Sequence, residues 1–378
     1  MKILIAPDSF KGSLSARDIS AAVRLGVLRV VPDAEIVEIP LADGGEGTLD
    51  SLILATGGRT VTHTVRGPLG DPVSASYGVL GGTGTAVIEL AQASGLPLVP
   101  PERRDPRLTT THGTGELIRH ALDAGHRDFL IGLGGSATND GGTGLLRALG
   151  MLFLDADGRP LPDGGAALHR LASLDTTGFD PRVAMSRFRI ASDVTNPLLG
   201  ANGASHIFGL QKGATLAVTA ELDAALTHYA RVVQLHIGLD ISALPGGGAA
   251  GGVGAALLAF FPARLESGID VLLDAARFDR ALQGADLVLT GEGRLDAQTL
   301  MGKTISGVCR RAATRHVPVV ALCGSLDLTA ADLDALGLLA AFPLAPGPCD
   351  LDTAIRLTAP WAADRTEQIL RLFTGIPK

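Results

Sequence analysis

Cysteine, aromatic residues, runs of like charge and long apolar stretches are all scarce in this chain. Its three cysteines, Cys309, Cys323 and Cys349, are an odd number without C-x-x-C spacing. That excludes a disulfide framework or a zinc-ribbon pattern and predicts three small buried hydrophobes. No run of about eighteen apolar residues occurs, so the signal of a membrane-spanning helix is missing. Met1-Lys2 leads straight into an apolar strand without a leader-like segment, and the expectation is a soluble cytoplasmic protein. Lysine and arginine form no run and the net charge is −7, which removes the basic footprint of a nucleic-acid binder. A small anion stays compatible with that charge, because a nest of backbone N–H groups acts over a short range.

What the chain has is aliphatic residues and glycine. Hydrophobic residues make up 46% and aromatics only 4%, so the core is expected to be Ala, Leu and Val, the usual filling of sheets covered by helices. At 378 residues the chain exceeds what one core usually serves, which favours about two domains with a cleft between them. Composition leaves the oligomeric state open.

Periodicity then places the elements. Residues 2 to 6 read as a buried strand, and Ser13 or Ser15 caps a helix whose apolar face carries Ile19, Val23, Val27 and Val30. Glu35 to Ile39 reads as the next strand, followed by Asp43-Gly44-Gly45-Glu46 and a helix from Thr48. From about Val61 to Leu90 the pattern shifts to alternating Thr, Val and Tyr with Gly turns, which suits antiparallel or mixed strands. Strands at Phe129 to Leu133 and Phe188 to Ala191 follow, then the glycine cluster Gly246 to Gly254. Near Ala285 the β-α rhythm returns, with strands at Asp286 to Leu289 and Val317 to Leu322. The expected domains are therefore 1–65 plus 285–378, and an inserted 66–284.

Candidate chemistry sits in polar loops directly after short apolar runs, where open α/β sheets bind ligands. Asp8, Ser9, Lys11 and Ser13 share the first such loop, and Lys11 suits an anionic oxygen. Asp43 and Glu46 follow the second strand among glycines. Gly134-Gly135-Ser136 with Asn139-Asp140-Gly141-Gly142 brings backbone donors, a helix start and a carboxylate into one loop, a composition that suits phosphate. Asp193, held by the turn at Asn196-Pro197, is the expected general base. Glu292 and Asp296 offer oxygens to Mg²⁺, with Arg294 between them as a cation for a phosphoryl group and Gly291 just before. Capped turns and surface ion pairs are the plain alternatives throughout. Ala297 stands where a Walker A loop ending in Gly302-Lys303-Thr304 needs glycine, which excludes that motif. Gly132-x-Gly134-x-x-Ala137 echoes a dinucleotide fingerprint.

Six strings, in order and spanning nearly the whole chain, carry a resemblance: Ile5-Ala6-Pro7-Asp8-Ser9-Phe10-Lys11-Gly12-Ser13, Ala42 to Thr48, Gly134 to Gly142, Asp193-Val194-Thr195-Asn196-Pro197-Leu198, Gln211-Lys212-Gly213-Ala214 and Thr290-Gly291-Glu292-Gly293-Arg294. They resemble the bacterial type I glycerate kinases. The resemblance implies a flavodoxin-like parallel-sheet α/β domain interrupted by a second α/β domain with a mixed sheet. It also implies ATP- and Mg²⁺-dependent phosphorylation of D-glycerate, giving 2-phosphoglycerate. Ser192, Leu210 and Cys323 depart from the family's usual residues without removing a polar candidate.

Under that reading Asp193 takes the hydroxyl proton, while Lys11 and Arg294 counter negative charge. Gly134, Gly135, Ser136 and Gly291 hold nucleotide phosphates. Asp8, Ser9, Asp43, Asn139 and Asp140 meet the substrate, and Glu292 or Asp296 holds Mg²⁺. Closure about hinges near residues 65 and 285 would exclude water. The rival enzyme is an NAD-linked hydroxy-acid dehydrogenase, and the rival of another class is a non-catalytic small-anion sensor.

Overall fold

The computed structural model describes residues 1–10, 12–41, 47–297, 299–301 and 304–375. Strands β1 (Lys2–Pro7) and β2 (Glu35–Glu38) open the chain. The middle holds β3 (Arg59–Arg66), β4 (Pro72–Val79), β5 (Ala86–Glu89), β6 (Asp128–Gly132), β7 (Leu152–Leu154), β8 (Ser173–Asp175), β9 (Arg187–Ala191) and β10 (Ala263–Glu266). The last strands are β11 (Leu287–Leu295), β12 (Val319–Leu326) and β13 (Ala340–Pro343). They fall into two compact units.

The first unit comprises Met1–Asp43, Asp50–Gly57 and Ile269–Lys378. Its five strands lie in the order β2-β1-β11-β12-β13 and all pair in parallel. Counted within the unit this is 2-1-3-4-5, the flavodoxin-like arrangement. β1 is apolar on both faces because both are covered: Leu4 and Ala6 pack with Ile305 and Val308, whereas Ile3 and Ile5 pack with Ile19, Val23 and Val27. The helix Ala16–Val30 that supplies the second set starts at Ser15, whose hydroxyl accepts the Asp18 N–H at 3.1 Å.

The second unit comprises Gly44–Leu49 and Gly58–Gly268. Its main sheet runs β10-β9-β6-β5-β4-β3. The strands from β10 to β5 are parallel, while β4 and β3 add antiparallel neighbours at one edge. Parallel pairing puts the carboxyl ends of β5, β6, β9 and β10 at one end of this sheet. The long helix Leu216–Ile237 buries Leu222, Leu226, Tyr229 and Val233 in the unit's core, beside Phe129, Phe153 and Phe188.

Two expectations need correction. Thr290 to Leu295 is not a loop but the continuation of β11, because β12 stays in register with it as far as Leu295 opposite Leu326. Cys309 and Cys323 are buried as expected, yet Cys349 is exposed, since it follows the exposed segment Pro346-Gly347-Pro348, which forms neither helix nor strand. Burial pushes the Cys309 and Cys323 thiols up to about 12, so neither is a nucleophile near neutral pH. Among the described residues no helix is long and apolar enough to cross a membrane.

Candidate active site

In the first unit the strand order reverses between β1 and β11, and a sheet of this kind binds ligands beyond the carboxyl ends of the strands at that reversal. Asp8 and Ser9 stand there directly after β1. The Asp8 N–H donates to the Gly291 carbonyl at 2.8 Å, and the buried Asp8 carboxylate accepts the Ser9 N–H at 2.6 Å and the Thr304 hydroxyl at 2.7 Å. Thr304 begins the helix Thr304–Ala313, so this carboxylate joins β1 to that helix's first turn. On β11, Glu292 accepts the Thr299 hydroxyl at 2.6 Å, and the same hydroxyl oxygen accepts the Asp296 N–H at 3.2 Å. One threonine thus ties the Glu292 carboxylate to the backbone of Asp296. Lys11 and Asp43 lie outside the described residues.

Two candidates of this unit are placed differently from the expectation. Gly291 lies inside the sheet, opposite Pro7 on one side and Leu322 on the other. A Cβ there would sit 2.2 Å from the Leu322 carbonyl oxygen, so close strand approach by itself requires glycine here. Arg294 is exposed, with Nε 2.8 Å from Asp327 and 3.5 Å from Asp296. Its charge is already spent on surface carboxylates.

In the second unit β6 and β9 are neighbours, so the loops after Gly132 and Ala191 leave the sheet side by side. The carbonyl of Gly135 accepts the Leu96 N–H at 2.8 Å, that of Ala137 accepts the Thr109 hydroxyl at 2.9 Å, and that of Thr138 accepts the Lys212 ammonium at 2.7 Å. Among the described residues the N–H groups of Gly134, Gly135 and Ser136 donate to no protein acceptor. Gly135 is exposed and Gly134 half-buried. Carbonyls held by the protein and N–H groups left unpaired are what an anion cradle requires. From the adjacent tip Asp193 projects, exposed, with its Oδ1 accepting the Gly268 N–H at 3.0 Å.

Asn139 and Asp140, expected to meet the substrate, sit beneath the loop surface. Both are fully buried. The Asp140 carboxylate accepts the N–H groups of Thr111, Gly142 and Gly144 and the Thr111 hydroxyl, at 2.8 to 3.2 Å. It closes the start of the short helix Thr143–Ala148 itself, which removes the helix start as an anion site. Burial pushes the Asp140 carboxyl up and those four donors oppose it; with the donors converging on both oxygens, the ionised form is the one that fits. The Asn139 amide donates to the Ser205 hydroxyl at 3.0 Å. The dinucleotide fingerprint also fails, since the helix starts at Thr143 and not within Gly134 to Ala137.

The sequence reading left the glycine cluster unassigned. In the structure it is a spacer between the two loops: the Gly141 N–H donates to the Gly251 carbonyl and the Gly248 N–H to the Asn196 carbonyl, both at 2.9 Å. A Cβ on Gly251 would lie 2.0 Å from the Thr138 carbonyl oxygen, and one on Gly248 2.3 Å from that of Pro197. Three side chains had no role assigned from the sequence: Lys212, quoted only within a family string, Thr109, and Glu89 at the tip of β5, which is buried and accepts the N–H groups of Gly47 and Leu49. Glu89 ends an apolar strand that predicts no charge, and that mismatch was the available signal.

Comparison with known proteins shows the family. The model of the glycerate kinase family matches residues 3–374. Glycerate 2-kinase of Escherichia coli K12 is 48% identical over 356 residues, covering 94% of this chain and 93% of that protein. Glycerate kinase of Haemophilus influenzae is 49% identical over 347 residues, covering 91% of each. A crystal structure from Salmonella typhimurium LT2 has a TM-score of 0.89 at 47% identity and covers 99% of this chain and 98% of its own. The chain belongs to the glycerate kinase family.

Proposed function

We propose that this chain, as a type I member of its family, transfers the γ-phosphoryl group of ATP to a hydroxyl of D-glycerate and releases 2-phosphoglycerate and ADP. The observation that carries this reading is the row of N–H groups at Gly134, Gly135 and Ser136 that meet no protein acceptor among the described residues, beside the exposed carboxylate of Asp193. Phosphoryl transfer asks for alignment and for charge stabilisation, with little covalent work by the protein. The three N–H groups hold phosphate oxygens. Asp193 accepts the proton of the attacking hydroxyl as its oxygen bonds to the γ-phosphorus and the bond to the β–γ bridging oxygen breaks.

Asp8 and Ser9 bind substrate in this reading, and Lys11, Asp43 and Arg294 keep the roles the resemblance implies. Arg294 must leave Asp327 to take its part. Glu292 and Asp296 fit Mg²⁺, which takes one or two carboxylates with phosphate oxygens and waters rather than an all-protein cage. Bound Mg²⁺ supplies charge neutralisation on the phosphates. A cytoplasmic location, where ATP is supplied, belongs to the same reading.

Phosphorus NMR of a mixture of protein, ATP, Mg²⁺ and D-glycerate tests it. A 2-phosphoglycerate signal with ADP is expected. Only 3-phosphoglycerate would correct the position of transfer, and no organic phosphate other than nucleotide would overturn the assignment. NADH absorbance that changes with glycerate would favour the dehydrogenase.

A further inference from the structure

The three anchors of the phosphate loop are unequal. Leu96 and Thr109 hold the Gly135 and Ala137 carbonyls with neutral donors, whereas the Thr138 carbonyl is held by a charge. Lys212 is 3% exposed. It ends the turn Leu210–Lys212, and the left-handed Gly213 that follows fixes its backbone. Its ammonium, a donor of up to three hydrogen bonds, donates to Thr138 at 2.7 Å. The buried Asp140 carboxylate acts on it electrostatically.

Burying an ammonium is costly, and an apolar side chain of similar volume commonly leaves a protein as stable or more so. Stability is therefore a poor reason for Lys212 to be here. Thr138 is tied in turn to the cradle: its N–H donates to the Ser136 hydroxyl oxygen at 3.0 Å, and the two hydroxyls lie 2.9 Å apart.

We propose that Lys212 is a positioning residue for phosphoryl transfer: by holding the Thr138 carbonyl from behind, it keeps the Gly134 to Ser136 N–H groups turned outward and sets a fixed positive charge beneath the anion they receive. This rests on the reading of that loop as the nucleotide-phosphate cradle. Burial lowers the Lys212 ammonium to about 8 against the pull of Asp140, so the charge is present at neutral pH and lost above it.

The test uses the full chain with Lys212→Met, Lys212→Gln and Lys212→Arg. Each is followed by calorimetric titration with AMPPNP, a non-hydrolysable ATP analogue, by steady-state kinetics and by thermal melting. Lys212→Met is expected to melt at or above the wild-type midpoint. It should lose about 10- to 100-fold in AMPPNP affinity and in kcat/KM for ATP, the range for a hydrogen bond to a charged group, while KM for D-glycerate changes less than about twofold. Wild-type affinity for AMPPNP should fall as pH rises through about 8, and that of Lys212→Met should not follow.

A Lys212→Met protein with wild-type nucleotide affinity and turnover overturns the proposal. If that variant melts early, the other two decide: affinity kept in Lys212→Arg and lost in Lys212→Gln supports the role, and equal affinities overturn it. A wild-type protein that neither binds AMPPNP nor phosphorylates glycerate would instead overturn the kinase reading.

Discussion

Asp140 and Asp193 are both aspartates in polar loops beyond neighbouring strand tips, yet their surroundings give them opposite tasks. Asp140 is enclosed and consumes four donors, two of them from Thr111, 29 positions away. Asp193 is exposed at its strand tip, where an incoming hydroxyl can reach it, with Oδ1 accepting the Gly268 N–H. Asp193→Asn should lower kcat by roughly 10² to 10⁴-fold while AMPPNP affinity and the melting midpoint stay put; a rate within a few-fold of wild type would end the base assignment. Lys212 gives a second residue-scale expectation. Its ammonium falls from the ordinary 10.5 to about 8 on burial, so between those values the unfolded chain holds a proton that the folded chain has released. Stability contributed by this site therefore rises with pH across that window, and the cost of the buried charge is fully present below about pH 8. Urea denaturation at pH 7.5 and 10 should show wild type gaining up to about 3 kcal/mol relative to Lys212→Met. No relative gain would mean the ammonium is better solvated than its burial implies. The candidate residues were legible as types because each follows an apolar run. Their orientation was not, because Asn-Asp-Gly-Gly spells a ligand loop and a helix cap alike.

At the scale of elements, strands and helices follow from period and punctuation, whereas their lengths answer to neighbours. The apolar run Leu287 to Leu289 announces β11, and the polar residues after it read as a loop. They remain strand because β12 offers a partner as far as Leu326. The glycine cluster makes the same point. No strand precedes it, so sequence patterning gave it no role, yet its close approaches to Thr138 and Pro197 fix the spacing of the two loops that carry the proposed chemistry. Gly251→Ala combines a left-handed φ of +67° with a contact at 2.0 Å from a carbonyl oxygen. It should cost about 2–5 kcal/mol in denaturant unfolding, the sum of backbone strain and overpacking, and lower kcat as Thr138 shifts. A change below about 0.5 kcal/mol, the size of an ordinary surface substitution, would show that the wedge is loose.

Across the whole molecule, chain connectivity separates the two units. The second unit's core runs from Val65 to Phe261 without drawing on either end of the chain, whereas the first unit's sheet needs β1 and β2 from one end and β11 to β13 from the other. A fragment of residues 44–268 is thus expected to unfold cooperatively by itself, with neither terminal piece doing so alone. Circular dichroism melts check this, and a fragment without a sigmoidal transition would show that its core depends on the rest of the chain. The sequence by itself determined the alternation of strands and helices, the aliphatic core, the flavodoxin-like pattern and the family, because each is written in local period or in long uncommon strings. Tertiary structure alone decided which polar residues of the loops face inward and which face outward. A loop residue's direction depends on donors and acceptors brought from distant segments, as Thr111 is to Asp140 and Lys212 to Thr138, and no local pattern encodes such partners.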